Sequence, residues 1–360
     1  MTRSTRILTS LLAAAIVAGG CGGDDKKSEP APTTAASTTT TSTTAAAPTT
    51  TTEPVPVATA PLTGMPIDEA TLARLARPAL AVKLDNAAGA MPHEGLNEAD
   101  IVWEIKVEGI SRLMAVFHST DSSEIGPTRS ARYSDPPILA LLGKPLFGWS
   151  GANEGVSRDV YRSDWIVNVN WDRVKNSDYF RKKGRKAPHN LFTSTAALWA
   201  YTEPDQPTAQ QVFQYREVAE PNTAGLPVPG ASLSVGDTPS SWVWDAAGNQ
   251  WLRWQYGKRH MNEGAGQSNA ANVVIQEVQY KGGSKTPTAK TDGSGRVLVL
   301  TGGNLIEGTW NRPSQLEPMT LTAADGQPIR LTPGRTWVEL TPGTTAKVLS
   351  PEAAAGLLNG

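Results

Sequence analysis

The most regular stretch of the chain is Ile101-Val102-Trp103-Glu104-Ile105-Lys106-Val107-Glu108. Apolar side chains recur at every second position from Ile101 to Val107, which is the period of a β-strand. These side chains would share a buried face, while Glu104, Lys106 and Glu108 would project from the other face. The stretch therefore predicts one strand of a half-buried sheet with a salt-bridged polar face.

The flanking segments predict a mixed α/β region over residues 65–221. Gly109-Ile110-Ser111 is expected to close a hairpin onto a second strand at 112–118, and an earlier strand is expected at 80–84. Ser134-Asp135-Pro136 has the composition of a helix start, with a cap residue followed by proline in the first turn. Further helices are expected at 153–162 and 193–201.

The later part of the chain, residues 231–351, has the pattern of a mainly β region. A hairpin is predicted from 241–245 and 250–256, followed by strands near 272–280, 296–300, 304–310, 329–331 and 336–340. Glycines separate these segments, and helical periodicity returns only at the alanine-rich end. The overall prediction is an α+β protein whose C-terminal region is a sandwich or a barrel-like fold.

Five tryptophans lie in the predicted strands of this later region, namely Trp242, Trp244, Trp251, Trp254 and Trp310. Such a cluster can form a stacking platform for sugars, because the CH-rich faces of sugars pack on indole rings. Aromatic residues are also ordinary strand residues, so core packing is the favoured interpretation.

The N-terminus has the features of an exported lipoprotein. Residues 1–20 combine two arginines, an apolar segment and small residues before Cys21, which resembles a bacterial lipobox. Signal peptidase II would cut before Cys21, which would then carry diacylglycerol and usually a palmitate-type acyl chain. Residues 21–64 are rich in Thr, Ala and Pro, contain no aromatic residue and are predicted to be a disordered tether.

Composition excludes several classes of function. The single cysteine rules out an internal disulfide framework and a cysteine-rich zinc site. The formal charge of -1 argues against a nucleic-acid partner. None of the four histidines lies at ligand spacing with another, so neither a metal site nor a cofactor is predicted.

Glu104 and Glu108 are candidate catalytic residues, because glycosidases use paired carboxylates. Four residues along a strand span about 13 Å, however, which exceeds the roughly 5 to 9.5 Å that such a pair needs. Each carboxylate therefore remains a candidate only with a partner from elsewhere in the chain.

Arg129 and Arg132 are candidate ligand-binding residues. They lie beside the helix start at Ser134, where free backbone N–H groups and two guanidinium groups would attract a carboxylate or phosphate. The alternative is that these arginines form ion pairs with Glu104, Glu108 or Asp135.

His189 and Asn190 complete the set of candidates, since Pro188 precedes them and a constrained turn is expected there. His189 is suited to general acid–base catalysis or to ligand binding, and the alternative is a structural histidine bonded within its turn. The basic run 181–186 is expected to be a solvated loop.

Four separated blocks resemble the YerB-like family of bacterial lipoproteins, a family of unknown function: 97–104, 107–112, 126–132 and 187–191. The resemblance continues through Trp254-Gln255-Tyr256-Gly257-Lys258-Arg259-His260 and later motifs. It implies an N-terminal and a C-terminal family domain and a cell-envelope lipoprotein. It supplies no catalytic residues.

Two functions remain open at this point. The first is a lipid-anchored module on the extracytoplasmic face of the cell membrane that binds an anionic or saccharide wall polymer, or an envelope protein, through Arg129, Arg132, His189 and Asn190. The second is a cell-wall hydrolase or transferase that uses His189 with Glu104 or Glu108. The sequence contains no nucleophile elbow, zinc-protease helix, phosphate loop or dinucleotide fingerprint, which favours binding.

Overall fold

The computed structural model describes residues 58–343 and 345–360. The expected signal segment 1–20, Cys21 and nearly all of the expected tether 21–64 lie outside these residues. The helices are α1 Glu69–Arg74, α2 Asp135–Leu139, α3 Glu154–Tyr161, α4 Thr195–Trp199 and α5 Pro351–Asn359, with 3-10 turns at Ala88–Ala90, Ala140–Leu142 and Asn176–Asp178. None of these helices is long and apolar enough to cross a bilayer.

The strands of the first region are β1 Leu80–Leu84, β2 Ile101–Lys106, β3 Ser111–Phe117, β4 Leu146–Gly148, β5 Val167–Asn168, β6 Tyr179–Arg181 and β7 Leu191–Thr193. Those of the later region are β8 Leu226–Pro227, β9 Gly230–Val235, β10 Thr238–Asp245, β11 Gln250–Gln255, β12 Lys258–Arg259, β13 Met261–Asn262, β14 Gly266–Gln267, β15 Asn269–Ala270, β16 Asn272–Glu277, β17 Tyr280–Lys281, β18 Thr288–Ala289, β19 Gly293–Thr301, β20 Asn304–Arg312, β21 Thr320–Ala323, β22 Thr336–Thr341 and β23 Lys347–Val348. The protein is therefore mixed α/β with few helices and many strands, as predicted.

Local sequence signals account for most of these elements. The β2–β3 hairpin turns at Gly109, whose φ of 77° suits glycine. Helix α3 begins after Asn153, whose side chain accepts a hydrogen bond from Val156 N at 2.9 Å. The prediction of a strand at 329–331 is wrong, because Leu331 forms only an isolated bridge with Tyr215.

One large sheet joins the two sequence regions. In the described part of the chain it contains eleven strands in the order β21-β20-β19-β16-β22-β2-β3-β1-β4-β5, with β8 paired to β20. Strand β22 runs parallel to both β16 and β2, and its Glu339 lies opposite Glu104. The sheet thus continues across the boundary expected between residues 65–221 and 231–351.

The two faces of the large sheet are both covered. Trp103 and Ile105 pack on one face together with Leu139 of α2 and Val160 of α3. On the other face lies a second sheet, of order β12-β11-β10-β9-β23 with β15 paired to β11. Its side chains share a cluster with the large sheet, so β2 is buried on both sides.

This second layer corrects two expectations. Glu104 is 0% exposed rather than part of a solvent-facing polar surface, because the second sheet covers it. Trp242, Trp251, Trp254 and Trp310 are each at most 2% exposed, which makes them core residues and excludes them as a sugar platform. Trp244 is half-buried and packs on Trp251.

Candidate functional site

A buried carboxylate, Asp85, gathers three of the basic side chains of the first region. Its Oδ2 lies 2.7 Å from Nδ1 of His189 and 3.2 Å from Nε of Arg129, and its Oδ1 lies 3.0 Å from Nη1 of Arg112. Asp85 itself is 0% exposed. The structure therefore brings Arg129 and His189 together through a residue that the sequence analysis did not select.

Main-chain pairing beyond the end of β1 sets this arrangement. Asp85 N donates to Pro127 O at 2.9 Å, and Arg129 N donates to Lys83 O at 2.8 Å. Residues 127–129 thus run antiparallel to the end of β1. Thr128 N donates to Leu191 O at 2.7 Å, which places the segment that carries His189 on the opposite side.

The surrounding cations keep Asp85 ionised. Burial by itself would raise the pKa of this carboxyl, but Arg112, the backbone N–H of Ala87, His189 and Arg129 outweigh burial and lower the pKa below its usual value. Burial also lowers the pKa of the Arg112 guanidinium, and Asp85 opposes this effect. The site is therefore a charged assembly whose negative centre is compensated from several sides.

Arg132 and Glu108 form an ion pair next to this centre. Arg132 Nη2 lies 2.6 Å from Glu108 Oε2, and Arg132 Nη1 also donates to the carbonyl oxygens of Ser130 and Ala131. Burial would raise the pKa of Glu108, but Arg132 and Arg112 hold it below its usual value. We name Asp85, Glu108, Arg112, Arg129, Arg132 and His189 the open cluster.

Two members of the open cluster present unused polar atoms to solvent. The side chains of Arg129 and His189 are 29% and 26% exposed. Within residues 58–343 and 345–360, neither the terminal nitrogens of Arg129 nor Nε2 of His189 have a hydrogen-bond partner. The cluster can therefore donate hydrogen bonds to a ligand without first breaking an internal one.

Asn190 and the basic run have structural partners instead. Asn190 Oδ1 accepts from Arg181 at 2.8 Å, and its Nδ2 donates to Arg185 O at 3.3 Å. Lys182 pairs with Glu94 and, at 2.7 Å, with Glu124. The interpretation of residues 181–186 as a solvated loop is therefore wrong for Lys182 and for Arg185, which donates to the carbonyl oxygens of Ala90 and Pro92.

A second cluster of carboxylates and arginine is closed to solvent. It includes Asn86, the residue that follows Asp85 in the chain. Arg253 pairs with Glu104 at 2.5 Å, and Glu104 also accepts from Ser111 Oγ at 2.5 Å and Asn86 Nδ2 at 3.2 Å. Trp242 Nε1 donates to Glu339 Oε1 at 2.8 Å. We name the fully buried residues Glu104, Arg253 and Glu339, with these neighbours, the sealed cluster.

The sealed cluster places two carboxyl groups close together in the protein interior, which disfavours their ionised forms. Burial, followed by the neighbouring carboxylate of Glu104, raises the pKa of Glu339 well above its usual value, and Arg253 only partly opposes this. Glu104 and Glu108 thus have different arginine partners and do not form a carboxylate pair. No group of three His, Cys, Asp or Glu side chains suited to a metal lies in the described part of the chain.

Sequence reasoning missed Asp85 and Arg112. The signal that could have found Asp85 is its position in Leu84-Asp85-Asn86, directly after a buried strand, where polar side chains often serve a site. Arg112 is the second residue of strand β3, and its contact with Asp85 follows from the β1–β3 pairing, which the sequence did not predict.

Two family models match the chain. Residues 62–208 match the family model described as "Protein of unknown function (DUF3048) N-terminal domain", and residues 231–338 match its C-terminal domain model. The protein named "Putative lipoprotein YerB" of Bacillus subtilis (strain 168) is 27% identical over 296 residues, which cover 78% of this chain and 85% of the relative.

A solved structure has the same fold. The crystal structure of YerB protein from Bacillus subtilis superposes with a TM-score of 0.70 and 23% identity, over 81% of this chain and 100% of that chain. Both family models match in order along the chain, and the chain belongs to the DUF3048 family.

Proposed function

We propose that the open cluster binds an anionic ligand of the cell envelope that carries phosphate or carboxylate groups. The observation that supports this most strongly is the solvent-facing guanidinium of Arg129, whose terminal nitrogens have no partner among the described residues. Three arginines stand against the two carboxylates Asp85 and Glu108, so the cluster carries a positive excess. Guanidinium groups bind planar oxyanions through paired, charge-assisted hydrogen bonds.

The two partners of Arg129 and Arg132 do not remove this capacity. Asp85 contacts only Nε of Arg129, which leaves the outer edge of the guanidinium for a ligand. Asp85 in turn fixes the position of Arg129, so less side-chain entropy is lost when a ligand binds. The ion pair between Arg132 and Glu108 lies close enough to Arg112 to influence the pKa of that guanidinium.

Titration of the full-length protein in detergent with oligomeric glycerol phosphate tests this proposal. Arg129→Ala should weaken binding about tenfold or more, because a hydrogen bond to a charged group contributes about 1.5–3 kcal/mol. Arg330→Ala is the matched control, since Arg330 is an exposed arginine paired with Glu220. Equal affinities of the wild type and Arg129→Ala would contradict the proposal, and preferential binding of an uncharged glycan would favour a saccharide ligand instead.

A lipid anchor at Cys21 belongs to the same proposal. The lipobox-like sequence before Cys21 and the lipoprotein name of the Bacillus subtilis relative support it. Two acyl chains on Cys21 would hold the protein at the extracytoplasmic face of the cell membrane. Cys21→Ser should abolish palmitate labelling and release the protein from the membrane fraction, and a membrane-bound, unlabelled pair of wild type and variant would contradict the anchor.

The contact between His189 and Asp85 favours a second candidate function. A carboxylate 2.7 Å from Nδ1 orients an imidazole whose Nε2 is open to solvent, as a general base requires. The protein would then be a wall-directed hydrolase or transferase in which Asp85 assists His189. Glu104 is a poor assistant because it is sealed, and Glu108 is paired with Arg132.

Product release from peptidoglycan fragments separates the two functions. The enzyme hypothesis expects soluble products with the wild type and none with His189→Ala at an unchanged melting temperature. The binding hypothesis expects retention of the anionic polymer without products in either protein.

A further inference from the structure

A cleft lies apart from the open cluster and is lined by other segments of the chain. It has a volume of about 450 Å³, which falls in the range of small-molecule sites. One wall comes from the first described segment and α1, between Ala60 and Arg74, and the others come from turns at 97–100, 248–250 and 334–335. None of the residues of the open cluster lines this cleft.

Glu98 brings an unused negative charge to the cleft. In the part of the chain that the structure describes, its carboxylate forms neither an ion pair nor a hydrogen bond, although Oε2 is buried. A buried carboxylate oxygen without a partner is unfavourable, because it has lost water and gained nothing in exchange. Its other oxygen, Oε1, also has no partner among the described residues and is not buried, so Glu98 can accept a hydrogen bond from a ligand in the cleft.

Arg335 brings the opposite charge to the same cleft. One of its terminal nitrogens donates to Asn269 Oδ1, and its buried Nε has no hydrogen-bond partner. Burial lowers the pKa of this guanidinium, and the charges of Glu98 and Asp100 oppose the effect. Glu98 and Arg335 thus attract each other electrostatically, yet among the described residues they form no ion pair.

The remaining charged groups of the cleft are already engaged. Asp100 accepts hydrogen bonds from His118 N at 2.6 Å, from Ser119 N at 2.8 Å and from the Ser119 hydroxyl. Arg74 pairs with Asp121 at 3.3 Å. The carboxylate of Glu98 and the guanidinium of Arg335, which line the same cleft without forming an ion pair, are therefore the groups left for a ligand.

We propose that this cleft binds a free α-amino acid. The ammonium group would bind Glu98, the carboxylate would bind Arg335, and the side chain would lie against the apolar wall that includes Met65 and Ile67. A ligand with both charges matches the separated pair, whereas an anion would face Glu98 and Asp100, and a simple cation would leave Arg335 unpaired. This site is independent of the anion-binding function proposed for the open cluster.

Chemical variants of the ligand test the proposal without altering the fold. The full-length protein is titrated with glycine, L-alanine, D-alanine and L-leucine at millimolar concentrations, and hydrogen exchange is followed by mass spectrometry. Saturable binding with protection of residues 60–74 and 97–100 is expected for at least one free amino acid. The N-acetylated form and the amide form of that amino acid should each bind about tenfold or more weakly, because each lacks one charge. Absence of saturable binding by all four, or equal binding of the acetylated form, would overturn the proposal.

Variants of the protein give an independent test. Glu98→Gln should weaken binding about tenfold or more with little change in the melting temperature, because the Glu98 side chain forms no hydrogen bond or ion pair that the substitution would remove. Glu317→Gln, which changes an exposed glutamate outside the cleft, should bind as the wild type does. Arg129→Ala should also leave this affinity unchanged, so failure of the anion site would not affect the result. Unaltered binding by Glu98→Gln would contradict the proposed ammonium contact.

Discussion

The open cluster and the sealed cluster are built from the same chemistry and differ in access to solvent. Both contain carboxylates paired with arginines. Two consecutive residues belong to different clusters, since Asp85 lies in the open cluster and Asn86 lies in the sealed cluster. In the sealed cluster Arg253, Glu104 and Glu339 are all 0% exposed. In the open cluster Arg129 and His189 present unused nitrogens at the surface.

This difference supports a structural role for the sealed cluster and the binding role that we propose for the open cluster. The sealed cluster lies at the β2–β22 pair, where strands from the two family domains meet, and Arg253 reaches it from the second sheet. Its hydrogen bonds hold distant parts of the chain in register. The open cluster crosses no such boundary, and its outward donors have no partner among the described residues, so they are available to a ligand.

The largest expected effect is on stability, from Arg253→Met. Removal of this guanidinium would leave Glu104 and Glu339 buried without their cation, which costs about 3–5 kcal/mol of unfolding free energy. Urea denaturation measures this loss, with Arg129→Ala as the comparison, for which we expect a smaller loss of about 1 kcal/mol, because Arg112 and His189 still contact the buried Asp85. Similar losses in both variants would remove the distinction between the clusters.

The next effect concerns pH and the buried imidazole of His93. Burial lowers the pKa of His93 to about 4, although its contact with Asp85 O, 2.6 Å away, opposes the shift. Because the unfolded value is about 6.5, the unfolded chain binds more protons than the folded chain between these pH values. This group's contribution to stability is therefore present above about pH 6.5 and is lost as the pH falls toward 4.

Unfolding free energies of the wild type and His93→Gln, measured across this pH interval, test that expectation. Asp100 contributes a pH dependence of stability in the opposite direction, since burial raises its pKa to about 6 despite the hydrogen bonds from Ser119 and His118. The difference between the two proteins isolates His93 and should shrink by up to about 3 kcal/mol on acidification. A constant difference over the interval would show that His93 does not titrate in this way.

Arg112→Met should have an intermediate effect on stability. Arg112 is 7% exposed, so it is less accessible than Arg129 but not fully buried as Arg253 is. Loss of its bond to Asp85 should reduce stability by about 2 kcal/mol and also weaken binding of the anionic probe. Denaturation and titration of the same preparation measure both effects. A change in affinity with unchanged stability would move Arg112 into the group of pure ligand contacts.

The smallest effect is expected from Gly89→Ala. The added Cβ would lie 3.0 Å from Cδ2 and 3.1 Å from Nε2 of His189, so the imidazole must shift slightly. We expect an affinity loss of about threefold, equivalent to less than 1 kcal/mol, with little change in stability. Gly356→Ala serves as the control because its Cβ would meet no neighbour. Equal affinities for the two variants would show that the position of His189 does not affect binding.

The sequence predicted what depends on neighbouring residues. Alternation along 101–108 predicted β2, the turn at Gly109 predicted the hairpin, and Asn153 predicted the start of α3. The burial of Glu104 was not predictable in this way, because the covering Arg253 lies 149 residues further along the chain. Arg129 and His189 were selected from local chemistry, whereas Asp85 could be recognised only after long-range pairing had brought these segments together.

Arginine side-chain NMR of the full-length protein during titration with oligomeric glycerol phosphate tests the central claim most directly. We predict saturable shifts of the Nη resonances of Arg129, while the resonances of Arg253 stay unchanged because it is sealed. Absence of shifts at Arg129 under saturating conditions, or equal shifts at Arg129 and Arg253, would contradict the assignment of binding to the open cluster.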